Sequence, residues 1–358
     1  MFRRQLLPLV FCLALAACTS PEERAVSTLQ YGGTNFSEKS FLKVVRKGDA
    51  NIPLVELFLA GGINLDARDT DGNTALAITA EEGHAGLAAM LLKAGATPST
   101  KNKEGRSPLL LALANHHLKL AELLIDAGAD VNHKSDVGLT PLLACSYFGD
   151  PASAKLLVGK GADLDVPEFD GDTALLVAIA ERHPDVALFL IGAGASPNAV
   201  NERGERPLTL ALAGAMPEVA AALLDKKVQP VGDVPGAPLP LAAEQGYDDI
   251  AKRLLAAGAS INSRGRRGAT ALVTALEGGH EGLALWLLDA GADPSLSDNN
   301  RCTPLMWAAK IGLPQAVDKL LRKGVNPLAL DNKGMSAESY ALTPAVRDMI
   351  HAATLRRK

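Results

Sequence analysis

The sequence predicts an all-α solenoid of helix-turn-helix units with β-turn fingers. Two observations carry this prediction: one leucine recurs at a nearly constant spacing, and the residues around it repeat as well. The spacing is 33 residues in every interval except one of 31, counted over Leu76, Leu109, Leu142, Leu175, Leu208, Leu239, Leu272 and Leu305. A fixed period of this size is typical of repeat architectures, in which each repeat buries its apolar face against its neighbours.

The segment 1–17 predicts a secretory signal peptide. It contains two arginines, an apolar run too short to span a bilayer, and small residues at its end. The four residues LAAC that end at Cys18 resemble the lipobox of bacterial lipoproteins. The resemblance implies cleavage before Cys18 and lipid on its thiol and amine, which anchors a protein without spanning the membrane. An uncleaved anchor with an incidental cysteine is the alternative.

The residues after Cys18 predict the membrane to which the protein is sorted and a spacer between the lipid and the folded domain. In lipoproteins of Gram-negative bacteria the lack of Asp at this point implies sorting to the outer membrane, and here Thr19 follows. We therefore expect the protein on the inner leaflet of the outer membrane, facing the periplasm. Residues 18–37 lack helical periodicity, so we expect the lipidated Cys and a flexible tether that holds the domain about 25 Å from the membrane.

Each repeat begins with a helix whose start is marked in the sequence. A hydroxyl residue that can cap the helix precedes the recurring leucine, and Pro often follows in the first helical position. The predicted caps are Thr74, Ser107, Thr140, Thr173, Thr270, Thr303 and Ser336. The second helix carries a Leu-Leu pair, such as Leu91-Leu92, that we expect to face the core, and it ends at a glycine such as Gly95.

These features together resemble the ankyrin repeat, a β-turn finger followed by two antiparallel helices. The resemblance covers residues 38–354 and implies an ankyrin-repeat solenoid of about ten units including caps, followed by a basic tail over 355–358. The segment 226–240 is two residues short. We expect a shortened finger and a change of curvature there. Whether this segment is also a hinge is left open.

Charge and motifs argue against catalysis and against nucleic acid. The chain has 36 Lys and Arg against 40 Asp and Glu, a net charge of −4, so no nucleic-acid partner is expected. Four histidines share one repeat position at the start of the second helix, which favours packing over metal ligation. They are His84, His117, His183 and His280. With no phosphate-binding, dinucleotide or nucleophile motif, we expect no enzyme, no cofactor and no metal.

Two cysteines besides Cys18 remain after processing. Cys145 lies in an apolar first helix and is expected to be an inert core residue. Cys302 lies at a finger position that we expect to be exposed. A redox or enzymatic role centred on Cys302 is therefore the alternative function of a different class.

The ankyrin resemblance implies that a protein partner binds at the finger tips and on the first helices. At these positions the early repeats are polar or charged, with Arg106 among them, whereas one repeat and its neighbour are apolar. The apolar residues are Val137, Leu139, Tyr147, Phe148 and Phe169, bordered by acidic residues that include Asp170 and Asp172. Apolar anchors inside a polar border are typical of binding hot spots.

Two alternatives to this interpretation remain open: the register is shifted by one, or Leu139 and Phe148 pack against adjacent fingers. Trp286 and Trp307 lie in Leu-rich helical positions, and we expect them in the core. The sequence thus predicts a non-catalytic scaffold for an unidentified protein, in contact with the membrane only through its lipid. Within the same class, the alternative is an immunity protein that inhibits a toxin acting in the periplasm.

Overall fold

The computed structural model describes residues 20–226, 228, 230 and 237–356. These residues form helices and connecting turns, and within them extended pairing is limited to one isolated antiparallel bridge between Arg264 and Thr270. The described residues divide into two compact units, the first ending at Phe169 and the second beginning at Asp170. The predicted signal peptide, the lipidation residue Cys18 and Thr19 lie outside the described residues.

The first unit is a stack of helix pairs preceded by one additional helix. From α2 onward, the first helix of each repeat packs on the first helix of the next. The helices are α1 (Pro21–Tyr31), α2 (Glu38–Val45), α3 (Ile52–Ala60), α4 (Ala75–Glu82), α5 (Ala85–Lys93), α6 (Pro108–Ala114), α7 (Leu118–Asp126), α8 (Pro141–Phe148) and α9 (Pro151–Gly159).

The second unit repeats the same helix pair and packing. Its helices are α10 (Ala174–Ala180), α11 (Pro184–Ala193), α12 (Pro207–Ala213), α13 (Pro217–Asp225), α14 (Pro238–Glu244), α15 (Asp248–Ala256), α16 (Ala271–Glu277), α17 (Glu281–Asp289), α18 (Pro304–Ile311), α19 (Pro314–Arg322), α20 (Ala337–Tyr340) and α21 (Pro344–Leu355). Helix α21 continues into the segment predicted to be a basic tail, because Leu355 is its last residue.

The predicted helix caps are confirmed at all seven positions. In each, the side-chain oxygen accepts a hydrogen bond from the backbone amide three residues further on, which satisfies a donor that the helix leaves unpaired. The capping residues are Thr74, Ser107, Thr140, Thr173, Thr270, Thr303 and Ser336. Arg206 and Ala237 occupy the same position before α12 and α14, where the side chain makes no capping bond within the described residues.

Most of the Leu-Leu pairs do not face the core as whole pairs, although both residues of Leu287-Leu288 are buried. Leu91 is buried whereas Leu92 is partly exposed, and Leu157 is buried whereas Leu156 is partly exposed. The reason is the helical period, since consecutive residues point about 100° apart around the axis. The buried leucines pack beside fully buried alanines of the first helices, among them Ala112, Ala178, Ala211, Ala242, Ala275 and Ala308.

Most fingers are turns closed by their own aspartate or asparagine. In the first unit, one carboxylate oxygen of Asp69 accepts hydrogen bonds from the amides of Asp71 and Asn73, both at 2.9 Å. Gly72 has a φ of +81°, the left-handed conformation that the turn requires and that glycine adopts most readily. Neighbouring fingers are joined by backbone bonds, as from the Lys103 amide to the Asp71 carbonyl at 3.0 Å.

The prediction of a flexible tether over residues 18–37 is wrong for the described part of that segment. Residues Pro21–Tyr31 form helix α1, which begins at a capping box between Ser20 and Glu23. Leu29 is only 1% exposed and α1 packs against α3. The two core residues, Ala25 and Leu29, are spaced one helical turn apart among polar residues, too few to produce an evident apolar period.

The shortened finger predicted in 226–240 falls mostly on residues outside the described part of the chain. The next described helix is α14, which begins at Pro238. None of the helices in the described part of the chain combines the length and the apolar character that crossing a bilayer requires.

Candidate functional site

Three apolar side chains of the first unit are exposed on its fingers and on the end of a first helix. Val137 is 64% exposed, Phe148 44% and Phe169 65%. We call these three residues the apolar patch. Val137 and Phe169 belong to consecutive fingers, and the backbone amide of Phe169 lies 3.2 Å from the point where a Cβ on Gly138 would stand. The fold therefore brings the two finger tips close together.

Tyr147 and Leu139 were predicted to face solvent with the patch, but both are partly buried. The Tyr147 hydroxyl donates a hydrogen bond to the Glu168 carboxylate at 2.5 Å. This bond links the end of α8 to the finger that carries Phe169, so Tyr147 positions the patch rather than forming its surface. Leu139 lies inside its own finger turn, where its amide donates to the Ser135 hydroxyl oxygen.

His116 is part of this surface, although the sequence interpretation did not select it. Its ring meets the ring of Phe148 edge-on, with centroids 5.2 Å apart. His116 has a φ of +60°, at the repeat position where Gly83 and Gly149 have φ values of +81° and +66°. The sequence signal that could have revealed it is the histidine at a position that is glycine in other repeats.

The backbone ladder between fingers is interrupted at the patch. The amides of Lys103 and Asp136 each bond to the carbonyl of the preceding finger, at 3.0 and 3.3 Å. The corresponding bond from Phe169 to Val137 is not formed, although both residues lie in the described range. A backbone donor and a backbone acceptor are therefore left beside two exposed apolar side chains, where water or a partner can satisfy them.

Arg106, predicted to be a charged binding residue of an earlier repeat, is half-exposed. Its guanidinium forms an ion pair with the carboxylate of Glu104 in the same finger. An exposed ion pair of this kind contributes little to stability, so the two side chains can rearrange toward a partner at small cost.

The acidic residues predicted to border the site, Asp170 and Asp172, belong to the second unit. The prediction is wrong for one of them. Asp172 is 7% exposed and accepts hydrogen bonds from Asn201 and Arg203, so it does not face a partner. Asp170 is exposed, with its carboxylate 3.7 Å from the Arg203 guanidinium. The acidic border is therefore partly neutralised by Arg203.

Arg203 also binds Glu205 at 2.8 Å. Hydrogen bonds from Asn201 and then from Arg203 hold the pKa of the Glu205 carboxyl below its usual range. This cluster holds its finger together through charge-assisted bonds, which are stronger than neutral ones. The sequence showed the acidic residues but not that a single arginine would bind three of them.

The two thiols among the described residues form no disulfide, and the pKa of each is raised. Burial raises the pKa of the Cys145 thiol far above its usual range. Cys302 is partly buried rather than exposed as predicted, and its sulfur lies 3.8 Å from the Asp331 carboxylate. Burial, followed by the charges of Asp298 and Asp331, raises the pKa of the Cys302 thiol. A thiol of this kind holds little of the reactive thiolate.

Asp331 also accepts a hydrogen bond from the Tyr340 hydroxyl at 2.7 Å, which raises the pKa of Tyr340 to about 12.

Trp307 lies in the second unit, where its indole donates a hydrogen bond to Asp298 at 3.3 Å and Lys310 lies 4.5 Å from the ring centroid. Trp307 and Trp286 are partly exposed, so the prediction that both belong to the core is wrong. Trp307 is held by polar partners because an indole N–H requires an acceptor.

The histidines that share one repeat position precede the second helices, as predicted, but among the described residues their side chains make no capping bond, and two of the rings instead contact carbonyls of the preceding repeat's first helix. The ring of His117 is 3.3 Å from the Glu81 carbonyl and that of His280 is 3.1 Å from the Glu244 carbonyl, in the first and second units respectively. No group of three or more His, Cys, Asp or Glu side chains within the described residues is arranged to hold a metal ion.

Comparison with known families gives a match over most of the chain. A family model described as ankyrin repeats (3 copies) matches residues 41–135, 142–234 and 239–331. A second, described as ankyrin repeats (many copies), matches residues 114–158. A search of curated proteins found no match.

Proposed function

Because the chain belongs to the ankyrin-repeat family, we propose that it is a non-catalytic scaffold that binds another protein. Ankyrin repeats generally act as surfaces for protein–protein interaction. We further propose that lipid on Cys18 holds this scaffold in the bacterial envelope, facing the periplasm. The support for the anchor is the signal-peptide pattern and the LAAC tetrapeptide of the sequence.

The observation that carries the binding role is the apolar patch of Val137, Phe148 and Phe169. Two of these side chains have more than half of their surface in water. Exposing a cluster of large apolar side chains costs free energy, and binding recovers it at roughly 25 cal/mol per Å² of apolar surface buried. Aromatic anchors with polar neighbours are typical of the residues that dominate interfaces.

The surroundings of the patch fit the same role. The open backbone groups of Phe169 and Val137 offer a donor and an acceptor to a partner. The Tyr147–Glu168 hydrogen bond holds the finger against α8, so less order has to be imposed when a partner binds. By contrast, a redox role centred on Cys302 finds little support, because the raised pKa of its thiol suppresses the reactive form.

The experiment that tests the binding role is capture of a partner from detergent-solubilised envelope by the crosslinked mature protein. The test variant combines Val137→Ser, Phe148→Ser and Phe169→Ser. A matched control combines Leu328→Ser, Leu330→Ser and Met335→Ser, three exposed apolar residues on a finger of the second unit. Thermal unfolding checks that both variants remain folded.

We expect the parent and the control to recover the same partner protein. The patch variant should recover at least ten-fold less of it. Such a loss corresponds to about 1.4 kcal/mol or more of binding free energy. Equal recovery by all three proteins would reject the patch as the binding surface. Loss of the partner by the control alone would move the site to the second unit.

A further inference from the structure

Helix α1 begins almost directly after the residue proposed to carry the lipid. Only Thr19 separates Cys18 from Ser20, the N-cap of α1. Ser20 and Glu23 form a reciprocal capping box, in which each side chain accepts a hydrogen bond from the backbone amide of the other residue, at 3.1 and 3.0 Å. The helix start is therefore fixed at this residue.

Helix α1 is also fixed to the repeats. Its core residues Ala25 and Leu29 are buried against the first repeat. The chain leaves α1 through a turn in which the Thr34 amide donates to the Leu29 carbonyl at 2.9 Å. Phe36 then stacks on Phe58 of α3 with ring centroids 5.6 Å apart. Ala25, Leu29 and the Phe36 ring thus attach the segment 20–36 to the folded domain.

One glycine shows how closely this attachment is fitted. A Cβ on Gly61, at the end of α3, would stand 2.6 Å from the Phe36 ring and 3.3 Å from a methyl group of Val26 in α1. Contacts below about 3 Å are not sustained between carbon atoms in packed interiors. The chain therefore needs glycine here for α1 and Phe36 to reach α3.

From these contacts we infer that the repeat domain rests directly on the lipid bilayer, with the start of α1 at the level of the headgroups and no spacer between them. This inference rests on the lipidated Cys18 of the proposed function. Two residue steps of at most about 3.6 Å place the Cα of Ser20 within about 8 Å of the Cα of Cys18. A flexible tether would instead hold the domain about 25 Å away.

The exposed surface of α1 is suited to contact with lipid headgroups, and it is not suited to insertion of the helix among the acyl chains. The residues that face water are mostly polar: Pro21, Glu22, Glu23, Arg24, Thr28, Gln30 and Tyr31. Charged side chains in the hydrocarbon region cost several kcal/mol each, so the helix stays above it. The two carboxylates of the first turn give no attraction to anionic lipid, which leaves the acyl chains on Cys18 as the source of membrane affinity.

The test measures the distance of the first repeat from the membrane in the lipidated mature protein. A donor dye on Glu56→Cys, an exposed position of α3, is read against acceptor-labelled headgroups in vesicles of phosphatidylethanolamine and phosphatidylglycerol. Cys302→Ser removes the competing thiol. Two variants create a spacer. The first inserts 18 Gly and Ser residues between Thr19 and Ser20, which adds about 25 Å. The second, Leu29→Asp, places a charge in the packing of α1, so that α1 detaches and becomes the spacer. Gln30→Asp, the same charge on the exposed neighbour, is the matched control.

We expect energy transfer to fall at least two-fold in both spacer variants and to stay unchanged in Gln30→Asp. Circular dichroism and the thermal midpoint of the repeats check that Leu29→Asp loses only α1. Transfer in the parent as low as in the insertion variant would overturn the inference while leaving the anchor intact. Mass spectrometry reports acylation separately, and a protein without acyl chains would reject the anchor and this placement together.

Discussion

The imidazole of His116 stands edge-on against the exposed ring of Phe148, with centroids 5.2 Å apart and ring planes at 74°. Edge-to-face pairs of this geometry contribute about 0.5–1.5 kcal/mol beyond the area they bury. His116 reaches Phe148 from a left-handed backbone conformation, which costs a residue with a Cβ roughly 1 kcal/mol. The strain and the exposed aromatic pair coincide at the candidate binding surface.

Replacing His116 with glycine is expected to weaken binding while leaving stability nearly unchanged. Glycine relieves the left-handed strain, worth about 1 kcal/mol, and offsets the loss of the ring contact. Partner capture should fall several-fold because Phe148 loses its support. Urea unfolding and capture measure the two effects. Arg182→Gly, at the same repeat position with a φ of +62°, is the control and should gain about 1 kcal/mol without any change in capture.

Helix caps predict a pair of opposite stability changes. Thr140→Ala removes the hydroxyl that accepts from the Leu143 amide and should lower stability by about 1 kcal/mol. Arg206→Ser places a hydroxyl at the uncapped start of α12 and should raise stability by a similar amount, about 0.5–1 kcal/mol. Urea midpoints of the two variants should move to opposite sides of the parent. Movement in the same direction would contradict the capping argument.

The Arg203 cluster predicts an acid-sensitive element in the second unit. The pKa of Glu205 is lowered in the folded chain by Asn201 and Arg203. A lowered pKa means that the unfolded chain binds the proton more tightly than the folded chain does. The ionised Glu205 therefore stabilises the fold above the ordinary pKa near 4.5, and this stabilisation is lost as the pH falls through the lower folded pKa. Glu205→Gln should therefore destabilise the protein at pH 7 and have a much smaller effect at pH 3. Urea midpoints at both pH values check the sign; a larger effect at pH 3 would show that the pKa is raised instead.

The Cys302 thiol is expected to react slowly at neutral pH. Its pKa is raised by burial and by Asp298 and Asp331, so the thiolate fraction at pH 7 lies below that of an ordinary cysteine. Reaction with Ellman's reagent should be slower than that of a cysteine peptide and should accelerate above pH 9. Cys302→Ser identifies the signal, because Cys145 should become reactive only on unfolding. A fast reaction at pH 7 would revive the redox alternative.

The repeat period and the hydroxyl caps made the helix pairs predictable from sequence, because both depend on local spacing. The exposed position of Val137, Phe148 and Phe169 was predictable for the same reason. The fate of Asp172 was not, since its burial depends on Asn201 and Arg203 from the next repeat. Helix α1 was missed because two buried residues and a capping box form a pattern too short to stand out.

The packing of α1 on α3 also covers the apolar end of the first repeat. A stack of repeats ends in an apolar face that is complementary to the face at the opposite end, because both are cut from the same repeated interface. An end of this kind left open to water favours association between copies. Helix α1, with Leu29 and Phe36 set over the first repeat, covers that face. A chain shortened to begin at residue 38 should consequently be less soluble than the same unlipidated chain that begins at residue 20, which sedimentation at rising concentration would measure.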